Sequence, residues 1–466
     1  MEKDYLIRRR PIAALLIFAL PMMLGNFFQQ LYTMADSAIV GRLVGEEALA
    51  AVGASYSLTN VFISIAIGGG VGASVITGQT FGRRDFSRMK RSVSTALLSF
   101  LAISVVLGGV GLALSRQIMV LLRTPANILD DATTYLNIYF LGLPFLFMYN
   151  VLSSMFNALG RSRIPLYLLI FSSVLNVALD IYMVGPLGMG VAGAAWATLL
   201  AQGISAVLSF CIFLKELKTY PGKLEGRLFD WEELKNMARV ALPSILQQST
   251  VSIGMMLVQS VVNSFGSQML AGYSAAMRIE SVCIVPMSAM GNAISSYTAQ
   301  NIGAGRQDRV RAGYRVSYGM VFALAAAICL VVQLLAGQLI SLFLEDGSTV
   351  AFETGMACTR FMAWFYALIG LKMISDGVLR GAGDMTMFTV ANLVNLGLRV
   401  VLAVTLAPGS ASSLCGWPCP WAGWSTTSSL SSSTARASGP SSTKPPASKG
   451  RRGPEFLTRQ TPGPLL

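Results

Sequence analysis

The feature that most constrains this chain is an internal repeat in apolar sequence. When the chain is shifted by the 221 residues that separate Gln79 from Gln300, roughly a quarter of positions 34–82 meet an identical residue. The glycine and glutamine matches are the hardest to attribute to a shared apolar bias. The chain therefore contains two related units. The matching pairs include Met34/Met255, Gly45/Gly266, Gly70/Gly291, Gln79/Gln300 and Gly82/Gly303.

The composition identifies a membrane protein. Of the 466 residues, 53% are hydrophobic and only 12% are charged, whereas soluble domains carry about 25% charged residues. The first apolar stretch is long and lacks a small-residue cleavage site, so we expect a membrane span there and not a signal peptide. The chain contains no His, so any proton relay would depend on carboxylates.

The hydropathy pattern predicts an all-α polytopic fold. A membrane-spanning helix needs about 20 mainly apolar residues, and the sequence contains eleven segments that meet this requirement. They are residues 12–38, 47–77, 92–115, 132–157, 164–184, 189–214, 237–262, 269–299, 314–338, 350–376 and 386–407.

Lys and Arg are concentrated in alternate loops. The N-terminus and the loops after the second, fourth, sixth, eighth and tenth predicted helices are basic, and the intervening loops are poor in basic residues. Because basic loops stay in the cytoplasm, we predict a multi-pass protein of the inner or plasma membrane with a cytoplasmic N-terminus. The net charge of +13 comes from these loops and from the C-terminal tail, and it indicates no nucleic-acid partner.

Both units begin on the same side of the membrane, which predicts two parallel-repeat helical lobes. The predicted N-terminal lobe (1–214) has six helices, and a cytoplasmic linker (215–236) joins it to a C-terminal lobe (237–408) with five recognisable helices. A 6+6 plan would need a twelfth helix, which is missing from the sequence after residue 407. We interpret the Ser/Pro/Gly-rich tail (409–466) as frame-shifted or otherwise foreign sequence, with a natural disordered tail as the alternative.

Few ionisable residues lie inside the predicted spans, where such residues usually serve function. Asp36 and Asp180 both fall in the outer half of the bilayer at similar depth, on the first and fifth predicted helices. Asn176 shares a helical face with Asp180, and Thr198 on the sixth helix could add a hydroxyl. Such oxygens can hold Na⁺, or take up a proton because burial and mutual repulsion disfavour two charged carboxylates. Solvated helix-end acids and ordinary interhelical hydrogen bonds are the alternatives.

Three residues are candidates for gating or for a pocket of variable shape. Pro21 could bend the first helix and so open or close the Asp36 site, although a static kink explains it equally well. Met34 and Met255 carry flexible thioethers that suit a pocket accepting many ligands. Met that packs against other helices or faces lipid is the more common case.

Two acidic residues of the second unit are further candidates. Glu280 on the eighth predicted helix could take part in packing or in coupling. Asp376 could mirror the acid site of the first unit, or it could simply pair with Lys372, four residues earlier on the same helix face.

The sequence resembles the multidrug and toxic compound extrusion (MATE) family of cation-coupled efflux transporters. The resemblance covers about residues 10–408. It rests on Gln30–Arg42, Glu47–Gly53, Gln79–Gly82 with its echo Ala299–Gly305, and Asn157–Gly160 with its echo Leu379–Asp384.

This resemblance implies two six-helix lobes around a central cleft. It also implies the exchange of Na⁺ or H⁺ for organic, often cationic, compounds. The positions that match the cation site of the family's N-terminal lobe are Asp36, Asn176, Asp180 and Thr198. The missing twelfth helix departs from the family pattern.

We therefore expect a secondary active multidrug antiporter that works by alternating access, and not an enzyme, because the sequence shows no nucleotide-binding loop and no His/Cys metal spacing. The expected partners are small organic substrates and the lipid bilayer, with no cofactor beyond the coupling ion, no metal beyond Na⁺ at Asp36, Asn176 and Asp180, and a monomeric state. A lipid or lipid-linked oligosaccharide flippase, favoured by a Lys/Arg-rich cleft, is the first alternative. A non-transporting receptor or scaffold is the second, and it would need no buried acid cluster.

Overall fold

The computed structural model describes residues 4–222, 227–263, 266–344 and 349–406, and the regular structure in this part of the chain is α-helical. The predicted tail (409–466) lies outside the described residues. The helices are α1 (Tyr5–Arg8), α2 (Pro11–Leu43), α3 (Glu46–Gly82), α4 (Phe86–Leu121), α5 (Leu129–Ala158), α6 (Arg163–Val184), α7 (Gly190–Lys218), α8 (Trp231–Asn263), α9 (Ser267–Gly303), α10 (Gln307–Ser341), α11 (Thr349–Ala363), α12 (Tyr366–Ala382) and α13 (Met385–Leu406).

The sequence repeat reappears as a repeat of helix boundaries. Helices α3 and α9 both have 37 residues, and the 221-residue shift superimposes their first and last positions. Each follows a glycine in the left-handed region, Gly45 at φ 115° and Gly266 at φ 100°. A side chain would be strained at that φ, because the Cβ atom crowds the backbone. The two glycines therefore allow the same sharp entry into a long helix in both units.

The first long helix of each half packs against the other half. Within the first half, α5 packs against α3, α4 and α7; within the second, α9 packs against α10, α11 and α12. Across the halves, α2 packs against α9 while α8 packs against α3. Leu15 and Phe18 of α2 are fully buried and belong to the same apolar cluster as Tyr297 and Tyr366 of the second half. The interface between the halves is thus an extension of the hydrophobic core.

The tenth predicted helix (350–376) is interrupted in the structure. The structure breaks it into α11 and α12, which meet at an angle of 50°. No proline lies at the break, which contains Trp364 and Phe365. The Phe365 N–H instead donates to the Met362 carbonyl at 2.9 Å, a three-residue step that tightens the backbone and redirects the helix.

Seven described helices are long and apolar enough to cross a membrane, or eight if the bent pair α11–α12 counts as one span. This number is smaller than the eleven predicted segments, although a described helix coincides with each of them. Helices α8 and α9 are long but less apolar, and the described apolar part of α13 is short. A helix that is mostly enclosed by other helices can carry more polar residues than one that faces lipid.

The basic loops and the N-terminus meet at one end of the bundle, which we call the basic end. There α1 connects the halves: the Tyr5 hydroxyl donates to the Gly160 carbonyl at 2.9 Å, and Asn301 Nδ2 donates to the Leu6 carbonyl at 3.2 Å. Burial raises the pKa of Tyr5, so its hydroxyl remains a donor. Because α2 and α8 both start at this end, the repeated helices run in the same direction.

Candidate functional site

The structure brings Asp36 and Asp180 together between α2 and α6. Their carboxyl groups lie close enough for the charge of one to act on the other. Asp180 is fully buried, and Asp36 is half-buried. Among the described residues, the Oδ1 atoms of both side chains are buried without a hydrogen-bond partner. Two adjacent carboxylates with free lone pairs form a site that a proton or a small hard cation would satisfy.

Asn176 and Thr198 complete this cluster, as the sequence predicts they could. When the Asn176 amide is oriented to fit its neighbours, Nδ2 donates to Asp180 Oδ2 at 2.8 Å and Oδ1 accepts from Thr198 Oγ1 at 3.3 Å. This choice of orientation follows from the hydrogen-bond partners. The Thr198 hydroxyl also lies 3.0 Å from the Ala194 carbonyl. These bonds hold the Asp180 carboxyl in a fixed position.

Two tyrosines that sequence reasoning missed flank the cluster. The Tyr32 side chain lies near Thr198, and both Tyr32 and Tyr135 lie close enough to the acid pair to interact with its charge. Tyr32 precedes Asp36 by four residues, a spacing that places both on one helix face, so this signal was present in the sequence. Tyr135 lies on α5 and only the tertiary structure brings it near. In the part of the chain that the structure describes, no group of three or more His, Cys, Asp or Glu side chains is placed so that it could hold a metal ion.

A second feature, the central cavity, lies between the two halves near the middle of the bundle. Its volume is about 290 Å³, and its wall combines residues of α2 and α3 with residues of α8, α9 and α12. Sites at the midplane between repeats are typical of secondary transporters. The polar residues of the wall are Asn26, Ser244, Gln247, Gln248, Ser288, Asn292, Asp376 and Arg380.

Asp376 lies in the wall of this cavity and is 4% exposed. Its Oδ2 accepts a hydrogen bond from Lys372 Nζ at 2.6 Å and one from Gln247 Nε2 at 3.1 Å. Lys372 also donates to Asn392 Oδ1 at 3.0 Å. The pairing with Lys372 that the spacing predicted is therefore present, and the pair lies at the interface of α8, α12 and α13.

The other candidates lie elsewhere. Pro21 is buried in α2, between its start and Asn26 of the cavity wall. Met34 is 55% exposed and is absent from the cavity wall. The Met255 side chain lies outside the described residues. Glu280 is buried on α9, close to Cys283 and Tyr366.

Sequence reasoning did not select the amides of the cavity wall or Arg380. An uncharged Asn or Gln in the middle of an apolar helix is most often an interhelical hydrogen-bonding residue. The second repeat does carry polar residues where the first has small apolar ones, such as Asn292 at the position that matches Val71. That difference between the repeats was a signal for a cavity lined unequally by the two halves.

Comparisons with known proteins agree on one family. The MatE family profile matches this chain twice, over residues 21–182 and 243–405. The two matches correspond to the two sequence repeats.

Curated relatives include two proteins of Bacillus subtilis (strain 168). The probable multidrug resistance protein YpnP is 33% identical over 381 residues, which cover 82% of this chain and 85% of YpnP. The probable multidrug resistance protein YoeA is 29% identical over 401 residues, which cover 84% of this chain and 86% of YoeA.

Solved structures show the same fold. A multidrug resistance MATE family transporter of the MOP superfamily, in an outward-facing conformation, aligns with a TM-score of 0.84 at 25% identity. The alignment covers 94% of this chain and 98% of that one.

Proposed function

Because this chain belongs to the MatE family of multidrug transporters, we propose that it is a secondary active exporter that exchanges Na⁺ or H⁺ for small organic compounds. The observation that carries this proposal is the Asp36–Asp180 pair, whose buried Oδ1 atoms are without hydrogen-bond partners in the described structure. The pair lies apart from the central cavity wall. An ion and a substrate would thus bind at separate sites of one protein.

Separate sites permit exchange by linkage. If the ion stabilises one arrangement of the two halves and the substrate stabilises the other, each reduces the affinity for its counterpart by the same factor. The substrate would occupy the central cavity. The ion would enter the Asp36–Asp180 cluster from the side of the membrane opposite to the basic end. Asn176 and Thr198 orient Asp180, and bending of α2 near Pro21 would connect the cluster to the interface with α9. We assign the basic end to the cytoplasm from its excess of Lys and Arg.

The first test is dye accumulation in energised cells that express the full chain. Ethidium represents cationic substrates and carboxyfluorescein represents anionic ones. Cells with the chain should retain less of at least one dye than cells with an empty vector. The substitution Asp36→Asn should restore full accumulation at equal membrane levels.

The control is Asp130→Asn, because Asp130 is 83% exposed and its ion pair with Arg116 is a surface contact. That variant should export dye like the unsubstituted chain. Equal accumulation of both dyes in all strains would refute export. Export that survives Asp36→Asn would refute coupling through this cluster and would leave the family fold intact.

A further inference from the structure

We propose that the central cavity selects organic compounds that carry a carboxylate or phosphate group, and that Arg380 binds this group. The inference rests on the proposed export function and specifies its substrate class. The implied preference of the family for cationic compounds would then not hold for this chain.

The wall of the central cavity carries a net positive charge. Asp376 and Arg380 are the charged residues among those that line it in the described structure. Lys372 already balances Asp376 through a contact of 2.6 Å. The three ionisable groups therefore leave one net positive charge, which Arg380 carries.

The undescribed side chains of the neighbouring helices add no negative charge to this balance. Residues 252–261 of α8 and 398–406 of α13 contain no Asp or Glu, and the one charged residue in them is Arg399. Any contribution from these segments to the cavity would be neutral or positive.

The geometry of Arg380 also favours an anionic ligand. One terminal nitrogen donates to Asn292 Oδ1 at 2.9 Å, which fixes the plane of the guanidinium group. The Nε atom is buried and has no hydrogen-bond partner among the described residues. A buried arginine donor without an acceptor is costly, and a planar guanidinium group is suited to a carboxylate or phosphate. A bound anion would satisfy both the donor and the charge.

Asp376 lies one helical turn before Arg380 on α12, so both residues line the same side of the cavity. The Asp376 Oδ1 atom is buried and free of hydrogen bonds in the part of the chain that the structure describes. This oxygen can accept from a hydroxyl, amide or amino group of the same ligand. With a volume of about 290 Å³, the cavity is just below the roughly 300–1,000 Å³ that ligand pockets occupy. A small anion or zwitterion therefore fits best.

The test uses three fluorescent probes that share one ring system and differ in charge. They are 2-naphthoate, 2-naphthamide and 2-naphthylmethylammonium, and their binding to the full chain in nanodiscs is measured by equilibrium dialysis against empty nanodiscs. Naphthoate should bind at least about tenfold more tightly than naphthamide, and the cation should bind least, because a charge-assisted contact in a buried site is worth at least one factor of ten.

Two variants separate a binding role from a structural one. Arg380→Gln should weaken naphthoate binding about tenfold and leave naphthamide unchanged. Lys372→Gln should free the Asp376 carboxylate and raise affinity for the cation, a change that a damaged fold would not produce. Arg360→Gln is the control, since Arg360 is an exposed residue of α11 outside the cavity wall.

Tighter binding of the cation than of naphthoate, binding of none of the three probes, or naphthoate binding that Arg380→Gln leaves unchanged would each overturn the inference. Dye export that depends on Asp36 would still support the proposed function in those cases. Conversely, naphthoate binding without export of either dye would overturn the proposed function alone.

Discussion

Gln79 and Gln300 occupy matching positions in the two repeats, and each donates a hydrogen bond to the opposite half. Gln79 Nε2 donates to the Gly381 carbonyl at 3.2 Å, and Gln300 Nε2 donates to the Ala158 carbonyl at 2.7 Å. The acceptors lie in the last turns of α12 and α5, which are the matching helices of the two repeats. We call these two hydrogen bonds the glutamine latch, because together they connect the two halves at the basic end.

The glycines next to these glutamines explain how the helices come so close. A Cβ atom added to Gly82 would collide with the Gln300 carbonyl oxygen, and one added to Gly303 would collide with the Gln79 carbonyl oxygen. The residues that define the sequence repeat are thus the residues that the two halves use to contact each other. In this arrangement the halves are in close contact at the basic end.

Removal of the latch should favour opening of the basic end. We expect Gln79→Ala combined with Gln300→Ala to shift the equilibrium by about 1–3 kcal/mol, because each hydrogen bond contributes about 0.5–1.5 kcal/mol. Spin labels at Arg83 and Ala304, which stand at matching positions just beyond α3 and α9, would report this opening. In a chain whose six native Cys are replaced, pulsed electron resonance should show a larger population at long distances.

Gln333→Ala is the matched control for this experiment. Gln333 Nε2 donates to the Arg360 carbonyl at 2.6 Å, a bond within the second half. This substitution also removes a glutamine hydrogen bond but should leave the distance distribution unchanged. An unchanged distribution in the latch variant would contradict the prediction.

The glycine contact gives a second prediction. Gly303→Ala should force α3 and α9 apart and cost about 1–3 kcal/mol, the usual cost of overpacking a tight contact. Gly319→Ala provides the comparison, because Gly319 lies in α10 with open space around it. That change should be neutral or stabilise the helix by about 0.5–1 kcal/mol. Thermal unfolding in detergent measures both. Equal melting temperatures for the two variants would argue against a close α3–α9 contact.

The sequence reveals the repeat, but it does not reveal that the repeated residues form the contact between the two halves. Identity at Gly82/Gly303 and Gln79/Gln300 identifies these positions as equivalent in the two units. Only the structure shows that each residue of one pair contacts a residue of the other pair across the interface. Comparing the chain with itself shows which positions of the two repeats are equivalent. Whether those positions contact each other depends on how the two halves pack.

The acid cluster and the cavity differ in how far sequence could predict them. Asp36 and Asp180 are rare charges at similar depth in apolar helices, so their proximity followed from topology. The sequence assigns Arg380 to the basic loop after the tenth predicted helix, because that predicted helix ends at residue 376. The helix continues to Ala382 after the 50° bend, which brings this arginine into the bundle. Neither Trp364 nor Phe365 is a residue type that predicts a break in a helix.

Asn176 provides a third prediction, which concerns ion dependence. Asn176→Leu removes the donor that lies 2.8 Å from Asp180 Oδ2. The concentration of Na⁺ or H⁺ that half-saturates dye transport in proteoliposomes should change about tenfold, which corresponds to the roughly 1.4 kcal/mol of one charge-assisted hydrogen bond. Asn150→Leu is the control, because Asn150 donates only to the Leu146 carbonyl of its own helix in the described contacts. An identical ion dependence in both variants would exclude Asn176 from the ion site.

The last prediction concerns the segment that joins the two halves. Glu233, at the start of α8, is 2% exposed, and it accepts from Arg88 Nε at 2.6 Å and from Ser92 Oγ at 2.9 Å. These bonds connect the second half to α4 of the first. Glu233→Gln should lower the free energy of unfolding by about 1–2 kcal/mol, because it removes the negative partner of Arg88 while Arg88 remains only partly exposed to water.

Its neighbour Glu232 is the matched control, because the Glu232 side chain is exposed and its loss should change stability by less than about 0.5 kcal/mol. Thermal unfolding of the two variants in detergent separates a buried connection from a general effect of charge at this end of α8. If Glu233→Gln melts at the same temperature as Glu232→Gln, the contact with Arg88 contributes nothing to the docking of the halves. If it melts lower and also shifts the spin-label distances toward the open population, the connection supports the same closed basic end as the glutamine latch.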